Sequence, residues 1–141
     1  MNKKVVIAIV STIVVLLIAG LFLKKERKNY EVDASSINNI IVNDKVSEVR
    51  VKKSNDDKIH VTYSKGKGLS YDISENHGKL SISSGKQIMK ISLSLNIYDN
   101  SLIIEIPEDY NKGINIVAEE KCTVDESIKF SSKNIKSEYE D

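Results

Sequence analysis

The chain changes its hydrophobic rhythm once, near residue 30. From Val5 to Leu23 the sequence VVIAIVSTIVVLLIAGLFL carries no charge, and Ser11 and Thr12 are its only polar side chains. A polar face would mark a soluble amphipathic helix, and none is present. Nineteen such residues make a helix of roughly 28 Å, close to the ~30 Å hydrocarbon core of a bilayer. The expectation is a membrane-spanning helix in contact with lipid. A cleaved signal would have a shorter apolar run closed by a small-x-small site; the nearest candidate, Val32-Asp33-Ala34, lies beyond the basic run Lys24-Lys25-Glu26-Arg27-Lys28. The helix is therefore read as an uncleaved anchor.

After residue 37 the period becomes two, the mark of strands with one face in a core and the other in water. Val49 and Val51 alternate with Glu48, Arg50 and Lys52, and Ile59, Val61 and Tyr63 with His60, Thr62 and Ser64. Ser54-Asn55-Asp56-Asp57 between them reads as the turn of a hairpin. A second hairpin joins Leu69-Tyr71-Ile73 to Leu80-Ile82 through Asn76-His77-Gly78. The strongest alternation runs from Ile88 to Ile97 and turns at Asp99-Asn100 into Leu102 to Ile106, which Pro107 ends. Ile114 and Ile116 form a short strand, and Cys122 to Val124 and Ile128 to Phe130 weak final ones. The predicted class is all-β: an antiparallel β-sandwich, or a short β-solenoid-like domain, behind one N-terminal helix. The expected organisation is an anchor with basic flanks over 1–28, a linker over 29–36, a β domain over 37–130 and a polar tail over 131–141.

Charge refines this picture. The total of +1 divides into +5 over residues 1–28 and −4 over 29–141, so the basic excess flanks the apolar helix and gives no argument for nucleic-acid binding. The flanks divide the positive-inside rule: Lys3 and Lys4 precede the helix, while Lys24, Lys25, Arg27 and Lys28 follow it. A short basic start before a long apolar run resembles an export signal, and the expectation is a β domain outside the cell membrane. Within the domain, residues 45–67 hold seven basic groups against three acidic, and residues 99–141 five against eleven. Arg50, Lys52, Lys53 and Lys58 are thus the candidate contact for anionic lipid headgroups or wall polymers.

Chemistry is otherwise sparse. Cys122 is the single cysteine and excludes an intramolecular disulfide; it reads as a half-buried strand residue. His60 and His77 have no assigned role, and Asn55-Asp56-Asp57 and Asp99-Asn100 read as turns rather than calcium loops. No phosphate loop, nucleophile elbow or zinc motif occurs. The expectation is no enzyme, no metal and no cofactor.

The order of motifs resembles the bacterial putative-adhesin domains of unknown function. The matching segments are Val49-Arg50-Val51-Lys52, Asp57-Lys58-Ile59-His60-Val61, Lys79-Leu80-Ser81-Ile82, Leu102-Ile103-Ile104-Glu105-Ile106-Pro107 and Ile114-Asn115-Ile116. That resemblance implies an envelope-associated all-β domain, often continued as a solenoid of glycine-containing repeats. Here no glycine follows Gly113, so any solenoid is short. The function expected is a non-enzymatic, single-pass envelope protein displaying a β domain for interaction. The alternative is an accessory subunit of a membrane complex concerned with envelope stress, with a membrane-protein partner.

Overall fold

The computed structural model describes residues 2–23, 26–66, 69–85 and 101–138, the side chains of 19–23 apart. Helix α1 covers Lys3–Leu23. Ten strands follow: β1 (Glu26–Asp33), β2 (Asn39–Asp44), β3 (Val49–Lys53), β4 (Lys58–Lys65), β5 (Tyr71–Asn76), β6 (Lys79–Ser84), β7 (Leu102–Ile106), β8 (Gly113–Ala118), β9 (Cys122–Val124) and β10 (Ser132–Ser137). They form two five-stranded sheets, ordered β1-β4-β7-β3-β9 and β10-β8-β2-β6-β5. The inward residues of both sheets share one core, including Ile40, Val42, Leu80, Ile114 and Ile116 from one and Val49, Val51, Ile59, Leu102 and Ile104 from the other.

The all-β expectation holds, while the antiparallel one does not. Among the described residues, β3 pairs in parallel with β7 and β9, β2 with β6 and β8, and β10 with β8. Among the described strand pairs, β1–β4, β4–β7 and β5–β6 are the antiparallel ones. The reason lies in the loops. A parallel return within one sheet needs a crossover of a dozen or more residues. The connections from β2 to β3 and from β8 to β9 span only residues 45–48 and 119–121, so each hops to the opposite sheet instead. The centre is thus wound like a solenoid, with antiparallel strands along one side.

Three further expectations change. Ser54-Asn55-Asp56-Asp57 does not close a hairpin, because β7 lies between β3 and β4. Residues 29–36 are not a linker: β1 already begins at Glu26 and pairs along its whole length with β4, followed by a 3-10 turn over Ala34–Ser36. The polar tail contributes β10, which lies beside β8 from Ser132 opposite Gly113 to Ser137 opposite Ala118. The second hairpin forms as expected. Its two-residue loop, His77 at φ 50° and Gly78 at φ 76°, has the positive φ pair whose twist matches the flanking strands. The segment from Ile88 to Ile97 and the turn Asp99-Asn100 lie outside the described residues.

The helix also departs from expectation. Among the described residues, no helix is long and apolar enough to cross a membrane. Val5 through Ile18 are nevertheless exposed on every side of the helix, with Ile7, Leu16 and Leu17 each more than 60% accessible.

Candidate functional site

The four basic residues singled out from sequence lie on one sheet without forming a basic surface. Outward positions of β3 carry Arg50 and Lys52; Lys53 ends that strand and Lys58 opens β4. Arg50 lies 3.2 Å from Glu48, Lys53 3.3 Å from Glu108 and Lys58 3.6 Å from Glu31. Lys52 stands in register with Glu105 of the intervening β7. The face is a mixture of both signs, which keeps a solvated sheet soluble and lowers its appeal to a purely anionic partner.

Its most organised group surrounds His60. Register puts Glu31 of β1, His60 of β4 and Glu105 of β7 side by side on the outer face. The ring meets a carboxylate at each nitrogen: Asp56 oxygens at 2.8 Å from Nε2, and Glu31 at 3.5 Å from Nδ1. Asp56 is further fixed by the backbone N–H of Lys58 and the hydroxyl of Ser54, which donate to it. The Lys58 amide, then the His60 ring, hold the Asp56 carboxyl down to about 2. Both ring nitrogens are thus tied into carboxylate contacts, an arrangement that staples β1 to β4. Sequence reading missed it because Glu31 fell within the expected linker and Asp56 within an expected turn.

A second polar group is buried. Asp44, at the end of β2, is wholly inaccessible. Its Oδ1 accepts from the backbone N–H groups of Val46 and Ser47, each at 2.9 Å, and its Oδ2 accepts from the Tyr71 hydroxyl at 2.6 Å. Burial raises the Asp44 carboxyl above its usual value, against the lowering effect of those donors. Burial also pushes the Tyr71 phenol far upward. This is the chemistry of a corner: one carboxylate satisfies two amides where the chain leaves one sheet for the other.

Other candidates are structural. Cys122 is half-buried in β9, and burial pushes its thiol up to about 11, away from the thiolate that reactivity needs. His77 serves the β5–β6 turn. Among the described residues, no group of three or more His, Cys, Asp or Glu side chains is placed to hold a metal ion. A depression of about 270 Å³ beside Asn43, Lys45, Val117, Lys136 and Glu138 is small for a ligand site.

What remains is a class of protein: a two-sheet β domain with a parallel, solenoid-like centre, charged on its outer faces, following an apolar helix. Residues 37–139 match the family model described as Toastrack DUF4097, and the chain belongs to that family, the adhesin-like domains of unknown function that its motifs resemble. Comparison with curated proteins gave no match. Among solved structures, a putative cell adhesion protein from Clostridium sporogenes ATCC 15579 is similar at a TM-score of 0.57 and 15% identity. The match covers 81% of this chain and 57% of the other, so this chain spans little more than half of that protein's length. At that identity the likeness is one of fold.

Proposed function

We propose that this chain is a membrane-anchored interaction module, in which α1 lies in the lipid of the cell membrane and holds the β domain outside it for adhesion-like binding rather than catalysis. The observation that carries the reading is the exposed apolar helix. Side chains from Val5 to Ile18 stand open to their surroundings all round the helix axis, an apolar surface that water does not tolerate and lipid does. In sequence the charge-free run extends to Leu23 and meets basic residues at both ends.

Binding rather than chemistry is supported by the state of the reactive groups: the imidazole of His60 is held between carboxylates, and the Cys122 thiol is suppressed by burial. The name of the structural neighbour adds the idea of adhesion.

Fractionation of cells producing the full chain tests the reading. The protein is expected in the membrane pellet, resistant to salt and alkaline wash and released by detergent, with the β domain digested when protease is added to intact cells. Recovery in the supernatant of broken cells would end the anchor reading. Protection from protease until lysis would put the domain inside, and a stoichiometric membrane protein retained in mild detergent would favour the accessory-subunit alternative.

A further inference from the structure

The two outer faces of the sandwich carry different chemistry. On one sheet, register sets Glu31, His60, Glu105 and Lys52 in a single row across β1, β4, β7 and β3, each of them titratable. On the other sheet the rows are mostly amides and hydroxyls. Asn134 of β10, Asn115 of β8, Ile41 of β2, Ser81 of β6 and Ser74 of β5 adjoin in register, and their chain neighbours Ile40, Val42, Leu80, Ile82, Ile114 and Ile116 fill the core. The row on one side adds Asn43, Val117 and Ser83, and the row on the other adds Asn39 and Gly113. Charge in these rows stands at the margins: Lys136 on the edge strand β10, Asp72 on the edge strand β5, and Lys79 beside the β5–β6 turn. Past the end of the face, Lys45, Glu119 and Glu138 join Lys136 around one shallow depression of both signs.

Asparagine is depleted from strands, because its short amide competes for backbone hydrogen bonds. Asn39, Asn43 and Asn115 nevertheless occupy the inner strands β2 and β8. Among the described residues, their carboxamides and the Ser81 and Ser83 hydroxyls have no hydrogen-bond partner within the protein, so the fold does not account for them. Gly113 adds a notch: a Cβ there would stand 2.9 Å from the Asn39 Oδ1, and glycine leaves that amide open. Five strands about 4.8 Å apart, each giving five residues at ~3.3 Å, make a face of roughly 400 Å². A stable protein pair buries about 800 Å² per partner, so the face is too small for a second copy and suits a narrower chain.

We infer that this amide face is the binding surface of the domain, and that its partner is a neutral, hydroxyl-rich polysaccharide. This rests on the interaction-module half of the proposed function, names its site and partner, and is independent of the anchor. A carboxamide donates through its nitrogen and accepts through its oxygen, and a sugar hydroxyl does both, so the two pair in either sense. Val117, 45% exposed, and the half-buried Ile41 lie among the amides and offer apolar contact to the C–H faces of sugar rings. Among the described residues, β2 and β8 place no charge on this face, so nothing there calls for a charged partner. Stripping water from amides that find new partners also costs far less than stripping it from ions.

The test passes the full chain, in phosphatidylcholine nanodiscs or in plain buffer if it needs no lipid, over immobilised dextran, mannan and galactan, with polygalacturonate as the anionic comparison. Retention is expected on a neutral polymer and is expected to be the same at low and high salt. Asn43→Ala combined with Asn115→Ala should weaken it roughly tenfold, while Thr123→Ala on the outer face of the other sheet leaves it intact. Ser81→Lys, which sets a charge in the middle of the face, should weaken it as much. Thermal melts that match the parent establish that the variants are folded. No retention on any of the three neutral polymers, or retention that ignores the face substitutions, would overturn the inference and leave membrane fractionation, and so the anchor, untouched. Salt-sensitive retention on polygalacturonate alone would move binding to the charged sheet, and a concentration-dependent dimer lost in the same variants would give the face to a second copy; either result overturns it.

Discussion

At the scale of single residues, Asp44 is the side chain with most at stake. It is inaccessible and serves three donors, so Asp44→Ala leaves the Val46 and Ser47 amides and the Tyr71 hydroxyl without their acceptor. Each buried donor left unpaired costs about 1–3 kcal/mol. The variant is expected to melt far below the parent in a thermal scan. Asp44→Asn keeps an acceptor for both amides and removes the charge, and it separates hydrogen bonding from ionisation. The folded state raises the Asp44 carboxyl, so it holds a proton that the unfolded chain releases near pH 4. Stability from this group is complete below that pH and declines as pH rises through the higher folded value. Denaturant melts should show this decline in the parent and lose it in Asp44→Asn; an identical pH profile in both would place the effect elsewhere. Gly78 is the other sensitive position. At φ 76° a side chain is strained, and an added Cβ would stand 2.7 Å from the Asn38 side-chain nitrogen. Gly78→Ala is expected to cost about 1–2 kcal/mol in chemical denaturation, with the β5–β6 hairpin as the first region to exchange its amides.

Elements were legible where alternation and turn chemistry act alone, and hidden where tertiary pairing decides. Val49 and Val51, Ile59 and Val61, and Leu102, Ile104 and Ile106 are all buried, each in a strand that periodicity identifies. Periodicity says which face is inward but not which way a neighbour runs, so parallel and antiparallel pairing write the same pattern. The loop lengths held the missing clue, since residues 45–48 and 119–121 are too few for a same-sheet parallel return. Strands β1 and β10 were hidden for a different reason: ERKNYEVD and SKNIKS bury little of their own, and pairing partners determine them. The candidate polar groups were hidden likewise, because Glu31 and Asp44 acquire His60 and Tyr71 only across strands. β10 also shows why the winding stops. Lys133 is in register with the inward Ile114, so a charge stands on the core side of the last strand, and Lys136 follows on the other face. Both discourage a further strand from adding. At the other side, β1 covers β4 and carries Val32 into the core. Deleting residues 26–36 from the isolated β domain should therefore expose the β4 edge and produce a lower melting temperature and concentration-dependent aggregation. A variant that melts like the parent would reduce β1 to an accessory.

For the whole molecule, the question is whether helix and sandwich stabilise each other or merely share a chain. Among the described residues, the core joins both sheets through residues from Val32 to Ile128 and draws on none from α1, whose described side chains remain open. Hydrophobic stabilisation follows the apolar area removed from water, so a helix that covers no sheet surface adds nothing to the sandwich. Removing residues 1–25 should then leave the melting temperature of the β domain unchanged while moving the protein from the membrane pellet to the supernatant. The two readouts are independent, which gives the experiment its force. A fall of several degrees on removal would mean that the helix packs on the domain, accounting for its apolar surface without lipid. An unchanged melting temperature with loss of sedimentation would assign the apolar residues to location and the alternating ones to the fold.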